Sequence, residues 1–363
     1  MKYTDTVGTR HCRVPTAVFI YLRNAIYVAK NVLREIPRKL HTIQFMNSPK
    51  VSVIIPAFNA VKTLAEAVFS VLDGTYNHLE ILIVDDCSTD DTALVILKLA
   101  KEDSRIQYFV NPENYGVSKS RNLMIYQATG EYVAFLDSDD TWEPNKLEFC
   151  LKMLAENPEV KAVAHALRYL DKRGNKLSYV PTYPTTKAQM QEIKVTGESP
   201  WVFPSSVVVD RSILLSEGGF AEDWQVGEDT ELFTRIAQKH GLLAAKEPLG
   251  NYRIRGNSLT DKHWLKKRIA ADCVKENQLR RLRGETELSL NEYEQVCFKN
   301  LSLLKRLNKF RELLALHYMR KVGQSLLNRE VLPTLLYGIA TTVLNPKATL
   351  NKWKWMKYNE DKI

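Results

Sequence analysis

Residues 51–58 read VSVIIPAF. The run is apolar throughout and lacks the alternation of a strand with one wet face, so it predicts a strand buried on both sides, as the inner strands of a parallel sheet are. Working outward, residues 60–73 read as a helix and 81–86 (ILIVDD) as a second buried strand. A helix follows through Leu99, then a strand at 105–110 (RIQYFV), a helix at 116–128, and a fourth strand at 131–137 (EYVAFLD) that ends in acids. This β-α-β alternation predicts an α/β fold on a single open, mostly parallel sheet flanked by helices. Further on, 165–170 (HALRYL) and 205–210 (SSVVVD) read as strands, and 228–240 as a helix that stops at Gly241.

On either side of this block the texture changes. Val18, Leu22, Ile26, Ala29, Leu33 and Ile36 recur at helical spacing, with Arg23, Lys30 and Arg34 between them. Such a helix either packs on the domain or lies in a membrane interface. From about residue 262 the chain reads as helical and basic. It includes an apolar stretch at 331–344 interrupted by Pro333 and Gly338, and it ends with Trp353 and Trp355 among lysines. The expected organisation is a basic amphipathic extension at 1–50, a catalytic domain at 51–260 and a basic helical region at 261–363.

The 363 residues carry a net charge of +9, but unevenly. Residues 1–50 hold 9 Lys and Arg against 2 Asp and Glu (+7), residues 51–260 hold 21 against 29 (−8), and residues 261–363 hold 21 against 11 (+10). An acidic middle argues against nucleic acid as its partner, while the basic flanks suit an anionic membrane surface. The five cysteines are scattered and none has CxxC spacing. They predict reduced thiols in a cytosol-facing protein, with neither a disulfide framework nor a zinc site. No secretory signal and no transmembrane run is expected.

In an open α/β sheet, ligands bind beyond the carboxyl ends of the strands. Three of the predicted strands end there in polar residues: Pro56-Ala57-Phe58-Asn59, Asp85-Asp86-Cys87-Ser88 and Asp137-Ser138-Asp139-Asp140. Carboxylates gathered on one edge repel, and a divalent cation removes that cost. Acids two apart on extended chain point the same way, so Asp137 and Asp139 are expected to face one Mn²⁺ or Mg²⁺, completed by substrate phosphates. Ser88, Thr89 and Asp90 are good helix caps, which leaves Asp86, nearer the strand end, for a ligand. Glu228-Asp229 follows Gly227 at a helix start, where acids also complement the helix dipole.

Eight segments in this order resemble the family 2 inverting glycosyltransferases of the A-type fold: VSVIIPAFNA, LAEAVFSVLDGTY, LEILIVDDCSTDDT, NYGVSKSRN, GEYVAFLDSDDTWEPNKL, GGF, VGEDTELFTRIA and YRIRGNSLT. The resemblance implies a nucleotide-sugar donor held by Pro56, Phe58, Asn59, Asp86, Arg121, Asp137 and Ser138, with Asp139 as the main metal ligand and Asp137 beside it. It implies Asp229 as catalytic base, with Glu228 and Trp201 on the acceptor side. Where the family often has a histidine, this chain has Arg255, which cannot ligate a metal but can bind a diphosphate. The implied acceptor is a glycan or lipid-linked saccharide in surface polysaccharide or glycolipid assembly, and the implied location is the cytoplasmic face of a membrane, with oligomerisation open. A polyprenyl-phosphate sugar transferase, a nucleotidyltransferase and a non-catalytic binding subunit are the other readings. The second lacks its Gly-rich phosphate loop at 56–60, and the third conflicts with the presence of Asp137, Asp139 and Asp229.

Overall fold

The computed structural model describes residues 48–170, 174–254, 263–296, 300–327 and 331–346. The helix expected at 16–36, together with Arg255, Trp353 and Trp355, lies outside the described residues. The described chain from Lys50 onward forms one compact unit.

Its centre is a nine-stranded sheet. The strands are β1 (Val51–Ala57), β2 (Leu79–Asp85), β3 (Ile106–Val110), β4 (Tyr132–Phe135), β5 (Thr141–Trp142), β6 (Ala162–Leu170), β7 (Lys176–Val180), β8 (Val208–Asp210) and β9 (Leu242–Arg253). They are ordered β3-β2-β1-β4-β8-β6-β9-β5, with β7 beside β6. β1 pairs in parallel with β2 and β4, and β2 with β3. β8 runs antiparallel to β4 and to β6, which restores β6 and its parallel neighbour β9 to the direction of β1. The sheet is therefore mostly parallel, with β8, β7 and β5 opposed. Every position of β1 and β2 is buried, which explains their mostly apolar sequences, and the buried Ser52 hydroxyl donates to Glu80 Oε1 at 2.6 Å.

Helices α1 (Leu64–Leu72), α2 (Thr92–Glu102) and α3 (Val117–Gln127) follow β1, β2 and β3. α4 (Lys146–Glu156), α5 (Lys187–Thr196), α6 (Arg211–Ser216) and α7 (Glu228–His240) complete the block. The main core joins Ile54, Phe135 and Val209 of the sheet to Ile125 of α3 and Leu232, Phe233 and Ile236 of α7. At its middle Phe220 meets Phe135 edge-on at 5.3 Å and Phe233 at 6.2 Å, arrangements that add stabilisation to the area buried.

The remaining helices are α8 (Trp264–Arg283), α9 (Leu290–Glu294), α10 (Leu303–Leu327) and α11 (Val331–Leu344). α8 is tied to the sheet block: Gln278 Nε2 donates to the Ile193 carbonyl at 2.7 Å, and Arg281 Nε to Gln238 Oε1 at 2.7 Å. Ile269, Ala270 and Val274 of α8 form a second core with Trp224 and Tyr293. α11 packs on α10 through stacked Tyr318 and Tyr337 and a 2.8 Å bond from Thr334 Oγ1 to Ser325 Oγ. Its other face is open. Val331, Leu332, Leu335, Leu336, Ile339 and Val343 fall on one side of the helix, all more than half exposed. No helix among the described residues is long and apolar enough to cross a membrane.

Candidate functional site

The carboxyl ends of β1, β2, β3, β4 and β9 share one edge, where the loops carrying the predicted motifs gather. The acid run after β4 departs from expectation. β4 ends at Phe135, and the Asp140 amide donates to the Asp137 carbonyl at 3.0 Å. Asp137–Asp140 is thus a tight turn, and the extended geometry expected to aim Asp137 and Asp139 alike does not hold. The turn sends the acids different ways. Asp140 points inward, 1% exposed, and accepts the Ser205 hydroxyl at 2.6 Å and the Arg253 amide at 3.1 Å. The Ser205 hydroxyl oxygen in turn accepts the Asp137 amide at 3.1 Å, and Arg253 Nε donates to the Asp139 carbonyl at 3.1 Å. Burial, reinforced by Asp139 and then Asp137, holds the Asp140 carboxyl well above the usual range. The same field reaches Tyr252, whose hydroxyl is raised first by burial and then by Asp140, Asp137 and Asp139. A concentrated negative potential therefore sits at this turn. Of the two residues that build it, Ser205 lies in a run read as strand and has no local signal for this role, while Arg253 falls within the YRIRGNSLT segment, whose place in a strand depends on pairing.

α3 supplies the counter-charge. Asp86, at the end of β2, accepts the Tyr115 and Gly116 amides at 2.8 and 2.9 Å and Asn111 Nδ2 at 2.8 Å. Its carboxylate thereby fixes the loop that launches α3. One turn into α3, Arg121 is 2% exposed. Its Nη2 donates to Asp137 Oδ1 at 2.6 Å, its Nη1 lies 3.6 Å from Glu228 Oε1, and its guanidinium stands 5.1 Å from the centre of the Phe220 ring. Arg121 Nε and Nη1 are buried without a hydrogen-bond acceptor. One side chain thus joins the acid turn after β4 to the acid pair that opens α7.

Gly227 caps α7 with φ +82°, a conformation that side chains rarely adopt, and a Cβ there would meet Ala270 Cβ at 3.0 Å. This close approach of α7 to α8 sets the position of Glu228 and Asp229. Burial first, then Asp229, pushes the Glu228 carboxyl up to about 7, against the pull of Arg121. Asp229 Oδ1 accepts the Thr230 amide at 2.7 Å.

The other candidates are less tightly joined. Pro56 is buried within β1, and Phe58 just beyond it is 49% exposed. Asn59 adopts φ +50°, its Oδ1 accepting the Thr89 amide at 2.8 Å and its own amide donating to Ser88 Oγ at 3.0 Å. Ser138 occupies the turn after β4. Trp201 is 62% exposed and pairs with Tyr183, with no hydrogen bond or ion pair to the Arg121 cluster among the described residues.

Among the described residues no three His, Cys, Asp or Glu side chains gather into a protein-only metal cage. The half-buried Asp137 and Asp139 still suit a hard cation completed by phosphate oxygens, since Mg²⁺ commonly takes only one or two carboxylates from the protein.

The model of the family described as Glycosyl transferase family 2 matches residues 52–214. An uncharacterized glycosyltransferase of Rickettsia bellii is 35% identical over 217 residues, covering 60% of this chain and 30% of its own. The Escherichia coli UDP-Glc:alpha-D-GlcNAc-diphosphoundecaprenol beta-1,3-glucosyltransferase WfgD is 40% identical over 112 residues, 31% of this chain and 44% of its own. The chain spans about a third of the length of the curated Rickettsia relatives it matches. Among solved structures, the Pyrobaculum calidifontis mannosyltransferase PcManGT, in complex with GDP-Man and Mn²⁺, superposes with a TM-score of 0.51 at 20% identity, covering 92% of this chain and 99% of that one. At that identity the likeness speaks to the fold, an A-type glycosyltransferase sheet.

Proposed function

The chain belongs to the family 2 glycosyltransferases, and on that footing we propose that it moves a sugar from a nucleotide-sugar, a UDP-sugar by preference, to an acceptor hydroxyl with inversion. The observation that carries this reading is Arg121, which bridges Asp137 and Glu228 and keeps two buried donors open for a ligand acceptor. The donor lies along Pro56, Phe58, Asn59, Asp86, Arg121, Asp137 and Ser138. Asp139, with Asp137, holds Mn²⁺ or Mg²⁺, which when bound neutralises charge on the leaving nucleoside diphosphate. Asp229 takes the proton of the acceptor hydroxyl. The hydroxyl oxygen bonds to the anomeric carbon from the face opposite the diphosphate, and the bond to the diphosphate breaks. Glu228 steadies the acceptor beside it.

The acceptor in this reading is a saccharide carried on a lipid diphosphate, the class named for the similar E. coli enzyme. The exposed apolar face of α11 and the +10 charge of residues 261–363 support work at an anionic membrane surface.

A thermal-shift panel of UDP-, GDP- and dTDP-sugars, with and without Mn²⁺, tests the donor. One nucleotide series raises the melting temperature only when metal is present. NMR of the first product then gives the inverted anomer. Absence of any metal-dependent shift across the panel refutes the nucleotide-sugar reading.

A further inference from the structure

Lys146 opens α4 and is 1% exposed, yet its Nζ is buried without a hydrogen-bond acceptor. It rests on the face of the Trp142 ring, 3.5 Å from the ring centre. Two other buried titratable side chains interact with it: Cys150, one turn further along α4, and His165 of β6. His165 Nδ1 lies 2.8 Å from the Ala166 carbonyl oxygen, and its Nε2 has no partner. Burial lowers the Lys146 ammonium to about 7, against the pull of Cys150. Burial, then the Lys146 charge, lowers the His165 imidazole to about 3, and burial raises the Cys150 thiol to about 11. Near neutral pH, His165 and Cys150 therefore stay uncharged, and Lys146 is the one of the three that gains or loses a proton. An apolar side chain of the same length would avoid the cost of a buried, unpaired amine. What the amine adds in return is its grip on the indole.

That indole leads to the acid turn. Trp142 Nε1 donates to the Ser205 carbonyl at 2.7 Å, and the Trp142 amide donates to Ser70 Oγ of α1 at 3.0 Å. The hydroxyl of the same Ser205 donates to Asp140 and accepts the Asp137 amide. The ring thus has one face under Nζ and its N–H edge on the residue that shapes the turn. We propose that Lys146 is a positioning residue: its ammonium, seated on the Trp142 ring, holds that ring and with it Ser205 in the arrangement that aims the Asp137–Asp140 turn. An ammonium is drawn to the negative face of an indole, and a neutral amine is not. Loss of the proton therefore releases the ring, and the turn loosens as pH rises through neutrality. The effect on donor and metal rests on the transferase reading above, whereas the coupling of Lys146 to Trp142 does not. Asp140, the other group raised by burial here, ionises further as pH rises and favours a cation, so its effect runs the opposite way.

The test is NMR of the full chain labelled with ¹³C-lysine and ¹⁵N-tryptophan, with W142F to identify the Trp142 indole peak. In wild type a lysine Cε resonance titrates near pH 7, and the Trp142 indole N–H shifts with the same midpoint. Both titrations vanish in K146M, or in K146Q should K146M not fold. An indole that stays still in wild type, or that moves alike in the variant, overturns the coupling. The wild-type titration decides this even if neither variant folds. Affinity for the nucleotide-sugar selected by the panel above, with Mn²⁺, reads the consequence. At pH 6 wild type binds it about fivefold or more tightly than K146M, the scale of a typical coupling between sites, and at pH 8.5 the two agree. A ratio that is constant with pH makes Lys146 a packing residue and overturns its positioning role. A chain whose indole titrates with Lys146 but that binds no nucleotide-sugar sinks the transferase reading and supports the coupling. Metal-dependent nucleotide-sugar binding with a still indole sinks the coupling alone.

Discussion

Replacing Arg121 with Met keeps most of the side-chain volume and removes the charge that joins the two halves of the site. Arg121 is buried, so the variant leaves Asp137 and Glu228 without their shared cation. Breaking a fully buried pair costs about 3–5 kcal/mol. The geometry argues for less here, because the Asp137 side chain is 31% exposed and Glu228 stands off at 3.6 Å. Discounting for solvent screening leaves about 2–3 kcal/mol. For a domain of this size each kcal/mol moves the melting temperature by roughly 2–4 °C, so the variant should melt about 4–12 °C lower at pH 7.5. Arg121 also pulls the Glu228 carboxyl down. Without it that group titrates higher than about 7, and the fall in the melting temperature shrinks at acid pH, where Glu228 is protonated and needs no partner. Calorimetry of wild type, R121M and R121K across pH 5.5–8.5 reads both effects. The Lys variant retains the charge but not the reach to two carboxylates, and falls between the others. An R121M protein that melts with wild type at pH 7.5 refutes the claim that this side chain holds the cluster together.

Asp229→Asn should retain donor binding in the thermal-shift panel while transfer falls by about 10²–10⁴-fold, the usual worth of a positioned base; normal turnover removes Asp229 from the mechanism. Asp139→Ala should abolish the Mn²⁺-dependent part of nucleotide binding, and a titration with unchanged metal dependence contradicts its place as ligand. For Glu228, a carboxyl raised in the folded state from 4.5 to about 7 contributes stability that is complete below pH 4.5 and lost as pH rises through about 7. Glu228→Gln should therefore flatten the melting temperature between pH 5 and 8, and a profile parallel to wild type speaks against the shift. Gly219 has φ +69°, and a Cβ there collides with Asn122 Oδ1, which accepts the Phe220 amide at 2.8 Å while Asn122 Nδ2 donates to the Phe220 carbonyl at 2.9 Å. Gly219→Ala should cost about 2–4 kcal/mol from backbone strain and disturbed hydrogen bonds, measured by urea unfolding.

The strands most plainly legible in the sequence were β1 and β2, whose burial is complete. β1 and β2 are covered on both faces, so their central positions, Val53–Ile55 and Ile81–Val84, are apolar without a break and each run declared itself. α3 and α7 were equally plain, α7 down to its stop at Gly241, because acids and a glycine mark its ends. β9 was not legible. Lys246, Glu247 and Pro248 interrupt it, and its strand character comes from pairing with β6, more than seventy residues earlier. The two-residue β5 is likewise defined by its partner alone.

The candidate site divides along the same line. Its acids could be picked out from the chain, since strand ends and helix starts are local features and a polar residue there stands out against apolar neighbours. What the chain alone could not give was their direction. The turn that aims Asp140 inward depends on Ser205 and Arg253, and the joining of Asp137 to Glu228 depends on Arg121 reaching across from α3. Sequence fixes which side chains are available, because that is covalent. Which of them face one another is decided by long-range packing, and pairing between distant segments leaves no local pattern to read.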